Sequence, residues 1–573
     1  MYDYVIRGAT VVDGTGAPGR QADVAVDGGT VVAVGDVEEQ GRTELDAGGL
    51  VVTPGFVDPH THYDAQLFWD PTASPSNIHG VTTIVGGNCG FTLAPIRAAD
   101  ADYMRRMMAK VEGMPLPALE HGVTWDWETF GDYLARLDGN LAVNAGFLVG
   151  HCALRRYVMG ADSIGNEANA DQVADMVRLL DESIDAGALG FSSSQSYTHS
   201  DGDGNPIASR FASTDEVLAL CEATGRHAGT TLEYITDGCL DGFSDEEIAR
   251  MAQMSARARR PLNWNVLTVD SRSPEKVEHQ LSASDAAAAA GGRIVALTMP
   301  TLVPMNMSFR NYCALFMLPD WGPIMSLPVP ERIAKLRDPE TRAFMNERAQ
   351  SPDAGVFRRL ASWANYELGD TFSPATKALK GRRIKDLAAE RGTSPFDTLL
   401  DIVIADDLRT ILWPIPSDGD PDSWKLRAEV WNDGRAMIGG SDAGAHLDRM
   451  LGSQYTTAFL ADSLRGRKLV TLERAVQLMT DAPARLFGLK GRGRIEVGGR
   501  ADLVVFDPET VGATKARLVE DLPGGTARLF ADSIGVVRVL VNGTETVVDG
   551  TATGALPGAL VRSGRDTDTV TTG

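Results

Sequence analysis

Gly55-Phe56-Val57-Asp58-Pro59-His60-Thr61-His62-Tyr63-Asp64 decides how this chain is read. A strand-like run, Leu50-Val51-Val52-Thr53, leads into it. Residues i and i+2 of a strand face the same side, so His60 and His62 would project together from a strand's end. Two neutral imidazoles side by side pack poorly in a core but begin a divalent metal site. The plain alternative is two polar histidines in a loop. It sits badly with the flanking Gly, Pro and Asp residues and with the distant partners described below.

Working outward, residues 1 to about 55 read as short strands. Ala22-Asp23-Val24-Ala25-Val26 and Thr30-Val31-Val32-Ala33-Val34 are joined by Asp27-Gly28-Gly29, a strong hairpin signal because glycine accepts positive φ. Ala501-Asp502-Leu503-Val504-Val505-Phe506 and Val536-Val537-Arg538-Val539-Leu540-Val541 read the same way at the other end. Neither block is long enough to bury a good core alone, so 1–55 and 481–573 are expected to pack together as one small β-domain. From 56 to 480, strand-like and helix-like runs alternate. Asp171 to Ala186 is helix-like before Ala188-Leu189-Gly190-Phe191, and Thr214 to Arg226 before Thr230-Thr231-Leu232-Glu233. Such repeated βα units predict an α/β parallel barrel. The stretch from about 309 to 372, rich in Met, Trp, Arg and Pro, breaks the rhythm and reads as an insertion over one end. Alternation resumes with Thr410-Ile411-Leu412-Trp413 and Ala436-Met437-Ile438-Gly439-Gly440.

Composition narrows the classes. At 573 residues the chain exceeds one ordinary core, and 43% apolar with 23% charged residues is globular. A net charge of −23 argues against a nucleic-acid or anionic-membrane partner. No apolar run is long enough to span a bilayer, and Met1-Tyr2-Asp3-Tyr4-Val5-Ile6-Arg7 lacks the pattern of a signal peptide. Five scattered cysteines predict reduced thiols and a cytoplasmic location. A small-molecule substrate is the expected partner. Monomer and homo-oligomer both stay open.

In a parallel barrel, function sits where strands end. His60 and His62 close the first strand, Cys89 the next, and His151 follows Phe147-Leu148-Val149-Gly150. Tyr197 lies after Gly190-Phe191-Ser192-Ser193-Ser194, Glu233 and Asn265 close two more strands, and Asp442 follows Gly439-Gly440-Ser441. Each has a plainer reading. Cys89 could be a small buried hydrophobe, and Asp442 a helix cap. His151 could be a hydrogen-bonded structural residue, Tyr197 a packing residue, and His446 with Asp448 a surface pair. Arg310 could bind a substrate carboxylate or simply face solvent.

These residues resemble the amidohydrolase superfamily, and within it the N-acyl-D-amino-acid deacylase (D-aminoacylase) group, over nearly the whole chain. The resemblance rests on Pro59-His60-Thr61-His62, Gly87-Asn88-Cys89-Gly90, Gly150-His151 with Leu154-Arg155, and Gly187-Ala188-Leu189-Gly190. It continues through Gly440-Ser441-Asp442-Ala443, Asp481-Ala482-Pro483-Ala484-Arg485-Leu486-Phe487-Gly488 and Gly498-Gly499-Arg500-Ala501-Asp502-Leu503. It implies a TIM-like (β/α)8 barrel flanked by a small β-sandwich formed from both termini. It also implies Zn²⁺, one ion or two, at His60, His62, Cys89, Glu233 and Asp442, with Asp442 as general base and acid. His151, Tyr197, Arg310 and His446 are then candidates for substrate contact. The implied activity is metal-assisted hydrolysis of a non-peptide amide C–N bond.

The chain departs from the group at three places. Glu233 and Asn265 stand where the group has histidines, and Leu267 where it has a basic residue. A two-histidine half-site has become Glu plus Asn, and the substrate is opened to something other than a plain N-acyl-D-amino acid. Two rivals follow: hydrolysis of a cyclic amide, imide or other C–N bond, and a metal-poor barrel that binds a small molecule without turnover. The pair-plus-acid set of His60, His62, Cys89 and Asp442 counts against the second.

Overall fold

The computed structural model describes residues 1–572. Five strands open the chain: β1 (Tyr2–Val11), β2 (Arg20–Asp27), β3 (Thr30–Gly35), β4 (Gly41–Asp46) and β5 (Val51–Pro54). The Asp27-Gly28-Gly29 turn joins β2 to β3 as an antiparallel pair. β5 lies between β1, which it meets in parallel register, and a C-terminal strand, Leu503–Phe506, which it meets antiparallel with Thr53 opposite Val504. Val536–Val541 and Thr544–Val548 extend the same nine-stranded sheet, so the two ends of the chain share one sheet. Val24, Val26, Val52, Leu503, Val505 and Leu540 form its core.

The run Leu50–Thr53 therefore belongs to this sheet and not to the strand carrying the histidines. That strand is β6 (Phe56–Asp58). The chain passes from one sheet to the other at Gly55, where a Cβ would stand 2.1 Å from Thr82 Oγ1, so only glycine fits.

From β6 onward the strands run parallel: β7 (Val81–Gly86), β8 (Asn144–Phe147), β9 (Val149–Gly150), β10 (Gly190–Ser194), β11 (Thr231–Ile235), β12 (Leu262–Trp264) and β13 (Ile294–Thr298). Two strands of the insertion follow, β14 (Tyr366–Leu368) and β15 (Leu412–Pro414), before β16 (Ala436–Ile438) pairs in parallel with β13. Helices Ala170–Asp185, Thr214–Arg226, Asp245–Ala258 and Pro274–Ala289 return the chain between strands. Capping boxes at Asn169–Gln172 and Ser244–Glu247 start two of them by satisfying free N–H groups. The strands form two sheets, β6-β7-β8 and β9-β10-β11-β12-β13-β16, consecutive in the chain at Leu148, and the β16 and β6 edges are joined by a single parallel bridge, Thr61 with Ala443, and by no ladder among the described residues. Val57, Val85, Leu148, Val295, Leu297 and Met437 pack together with Leu486 and Phe487 inside the curved sheets.

Leu412–Pro414 does not resume the parallel alternation. It pairs antiparallel with Tyr366–Leu368, because both belong to a separate core reaching from Met307 to Leu412 around stacked Trp321 and Trp363. That core is wider than the 309–372 stretch. Asn306 Nδ2 donates to Asp448 O at 3.0 Å, fixing the insertion to the loop after β16. No described helix is long and apolar enough to cross a membrane.

Candidate metal centre

The chain stays extended beyond β6. Thr61 N–H donates to Val85 O at 2.9 Å and His62 N–H to Ala443 O at 2.7 Å, which pins the His-Thr-His segment between its two neighbours. Both imidazoles are buried and lie 5.3 Å apart, edge to face. Cys89 sits on the loop after β7 with φ +54°, an uncommon conformation for a residue with a side chain. Gly87 allows the loop, since a Cβ there would lie 2.2 Å from Leu148 O. Asn88 Nδ2 donates to Thr61 O and Val85 O, and Gly90 N–H to Ser192 Oγ. Asp442 is also left-handed, with φ +51°. Two strained residues at one place are the pattern expected of a functional site.

These elements bring His60, His62 and Cys89 together, with donor atoms all within 4.8 Å of one another. Cys89 Sγ is 3.5 Å from His60 Nε2. Asp442 Oδ1 is 3.3 Å from His60 Nε2 and 3.8 Å from His62 Nε2. A tetrahedral zinc with bonds near ~2.0–2.3 Å has edges of roughly 3.3–3.8 Å, and the three spacings from His60 to Cys89 and from Asp442 to the two imidazoles fall in that range. Asp442 keeps 24% of its side chain accessible.

The electrostatics agree with a cation site. Burial opposes ionisation of Asp442, but the hydrogen bond and charge of His60 outweigh it and hold the carboxyl below the usual carboxylate range. Burial also acts against a charged His60, and Asp442 reverses this and raises its pKa. Burial and the neighbouring His60 push His62 well below the ordinary histidine value. Burial and the carboxylate of Glu233 push the Cys89 thiol up. A bound cation inverts that logic for a thiol.

The other predicted residues lie at different distances from this cluster. Glu233 is fully buried on β11, but its Oε2 accepts the Cys89 backbone N–H at 2.7 Å and its Oε1 is 3.9 Å from His60 Nδ1. Like Asp442 it is not one of the three donors within 4.8 Å of one another, but unlike Asp442 it faces the Nδ1 edge of His60. Asn265 does reach the cluster, with Nδ2 3.3 Å from His60 Nε2 and 3.9 Å from Cys89 Sγ. His446 lies near it, where it acts on the charges of His62 and Asp442, and its Nδ1 is 2.7 Å from Arg449 Nη2. The structure does not bring His151, Tyr197 or Arg310 to the cluster. His151 has both nitrogens committed, Nδ1 to Ser193 Oγ and Nε2 to Glu216 Oε1, each at 2.8 Å. The Tyr197 hydroxyl faces Asp241, and burial with that carboxylate pushes it up to about 12. Arg310 is exposed on the insertion and donates to Asp407 O.

Three neighbours escaped the sequence. Glu112, buried after helix Ala101–Val111, has Oε1 3.6 Å from His62 Nδ1. His199, held by Ser194 Oγ at 2.8 Å, acts on His62. Arg449 meets His446 and acts on the charge of Glu112. Only Arg449 carried a signal, three residues after His446 in the loop that holds Asp442.

The match to known proteins follows this geometry. The chain belongs to the amidohydrolase family, whose model matches residues 43–551. It is 30% identical to D-aminoacylase of Alcaligenes xylosoxydans xylosoxydans over 517 residues, 90% of each chain. It is 30% identical to N-acyl-D-aspartate deacylase of the same organism, covering 98% of this chain and 95% of that one. A D-aminoacylase crystal structure, described as defining a novel subset of amidohydrolases, superposes with a TM-score of 0.64 at 27% identity. That match covers 98% of this chain and 100% of the other. A further D-aminoacylase structure of the same similarity is described in terms of a binuclear metal centre with one-metal activation.

Proposed function

We propose that this amidohydrolase is a zinc-dependent deacylase of N-acyl-D-amino acids. Its closed (β/α)8 barrel spans 56–480, with an insertion whose core reaches from 307 to 412, and its β-sandwich is built from 1–55 and 481–573. One observation carries the reading: two imidazoles and a thiol come together with donor atoms within 4.8 Å, and the Asp442 carboxylate stands 3.3 and 3.8 Å from the two imidazoles. His60, His62, Cys89 and Asp442 would hold the ion, and a thiolate with imidazoles suits zinc. All five cysteines are buried and unpaired, which supports a reducing, cytoplasmic setting.

When bound, zinc lowers the pKa of a water to roughly 7 and polarises the acyl carbonyl. Asp442 is ionised and accessible, so it can accept the water's proton as the oxygen attacks. It then returns the proton to the departing nitrogen, which leaves poorly as an anion. Arg449 offers its guanidinium to the substrate carboxylate in charge-assisted hydrogen bonds. The insertion, bonded to the 446–450 loop through Asn306 and Asn311, covers the approach and limits water.

A second reading, cyclic amide or imide hydrolysis, draws on Leu267, an apolar residue 1% exposed where the group carries a basic one. The test is purified protein assayed on N-acetyl-D-amino acids and on cyclic imides, with metal counted per chain. The expected outcome is zinc in the protein and release of D-amino acid, lost on chelation and restored by zinc. Turnover of imides alone would replace the first reading with the second.

A further inference from the structure

Resting on the metal reading above, we infer that Glu233 is a positioning residue for the Cys89 and His60 ligands and does not itself coordinate the ion. Its two oxygens have different tasks. Oε2 accepts the Cys89 backbone N–H at 2.7 Å, at the point where Cys89 adopts its left-handed φ of +54°. That bond fixes the residue whose Sγ stands 3.5 Å from His60 Nε2. Oε1 has no hydrogen-bond partner and faces His60 Nδ1 at 3.9 Å, and that nitrogen is also buried and unpartnered.

The face matters. The cation-binding edge of His60 is Nε2, which meets Cys89 Sγ and Asp442 Oδ1. Glu233 lies at the other edge. When Nε2 holds a cation, the ring proton resides on Nδ1, and a carboxylate there orients the ring and raises its donor strength. Glu233 thus acts on one ligand through its backbone and on another through its ring. On the ion side Asn265 presents Nδ2 and not an anionic oxygen, so Glu233 and Asn265 leave no second charged pair beside the first set.

The test compares wild type with Glu233→Gln and Glu233→Ala. Ions per chain, zinc affinity by competition with a chromophoric chelator, and the thiolate-to-metal absorption of the cobalt-substituted protein are measured. Gln keeps an acceptor for the Cys89 N–H. The expected result is an unchanged ion count, zinc affinity weakened about tenfold in Glu233→Gln and about a hundredfold in Glu233→Ala, with the thiolate band altered most in Ala. A Gln variant that loses an ion, or variants with unchanged affinity and absorption, would overturn the inference. Should Glu233→Ala not fold, a zinc-loaded crystal structure of the wild type decides. A Glu233 oxygen within about 2.0–2.2 Å of zinc overturns the inference, and the retained Cys89 N–H bond supports it. A wild type that binds no metal removes the underlying metal reading, which the variants alone do not address.

Discussion

Two buried polar clusters lie beside the parallel strands, and they are built on opposite terms. Around Glu216, His151 bridges Ser193 and the carboxylate, and Arg155 Nη1 donates to both carboxylate oxygens at 2.7 and 2.5 Å. Arg155 Nη2 donates to Asn166 O at 2.6 Å, leaving only Nε without a partner. Around Asp442, buried His60 Nδ1, His62 Nδ1, Glu233 Oε1 and Asn265 Oδ1 all lack hydrogen-bond partners. Each unpaired buried polar group costs about 1–3 kcal/mol. Burial and charge are therefore common to a structural network and a binding site. What separates them is unspent bonding capacity.

The largest effect expected from this division is at Asp442. Asp442→Asn removes the proton acceptor while keeping size, so kcat should fall about 10²–10⁴-fold with the thermal midpoint little changed. Steady-state kinetics on an N-acetyl-D-amino acid check this, and near-wild-type turnover would take Asp442 out of the chemistry. Glu216→Ala should behave in the reverse way. It strands a buried Arg155 beside His151, so stability should drop about 3–5 kcal/mol in urea unfolding, with zinc per folded chain unchanged. Lost zinc at unchanged stability would show that the two clusters are one.

The sequence pointed to the half of the proposed site that local rules govern. His60, His62, Cys89 and Asp442 each follow a strand, so alternation and glycine-rich turns pointed to them. The joining of the two terminal blocks was legible because neither could bury a core alone. The boundary near 55 was legible too, since Leu50–Thr53 closes the terminal sheet, and what the sequence did not show is the break at Gly55 that separates it from the strand carrying the histidines. Leu412–Pro414 misled because an apolar strand reads the same in either sheet, its partner lying 46 residues earlier, with Leu368 opposite Leu412 and Pro414 opposite Tyr366 at the ends of the ladder. Glu112 and His199 reach the centre from loops, where side-chain direction depends on contacts distant in sequence. His151 looked like Cys89 in sequence because the partner that satisfies it, Glu216, lies 65 residues on.

A third buried histidine sharpens the comparison at moderate size. His79 is fully buried between Thr457 Oγ1, 2.6 Å from Nδ1, and Ala531 O, 3.1 Å from Nε2. Burial pushes its pKa down to about 4, against about 6.5 in an unfolded chain. The folded state therefore binds the proton less tightly. Its contribution is intact above about pH 6.5 and is lost as pH falls toward 4, by at most about 3 kcal/mol. Urea midpoints measured from pH 7 to 4.5 should fall more steeply for wild type than for His79→Gln. Parallel curves would mean that the ring is not held neutral by the fold.

The smallest effect expected, and the one that decides which side of the division the site's rim belongs to, is at Arg449. Its guanidinium has a neutral partner, His446 Nδ1, at 2.7 Å, and only a distant carboxylate, Asp448 at 4.0 Å. It lies 5.5 Å from the Tyr312 ring and keeps 11% of its side chain accessible. A buried cation without a close anion resembles the unspent atoms at Asp442 more than the paired Arg155. If it takes a substrate carboxylate, Arg449→Met should raise KM about 10–100-fold, the cost of about 1.5–3 kcal/mol for a charged hydrogen bond, with kcat and zinc content altered less. A variant that loses stability at constant KM would place Arg449 with Glu216, among groups whose bonding is already complete.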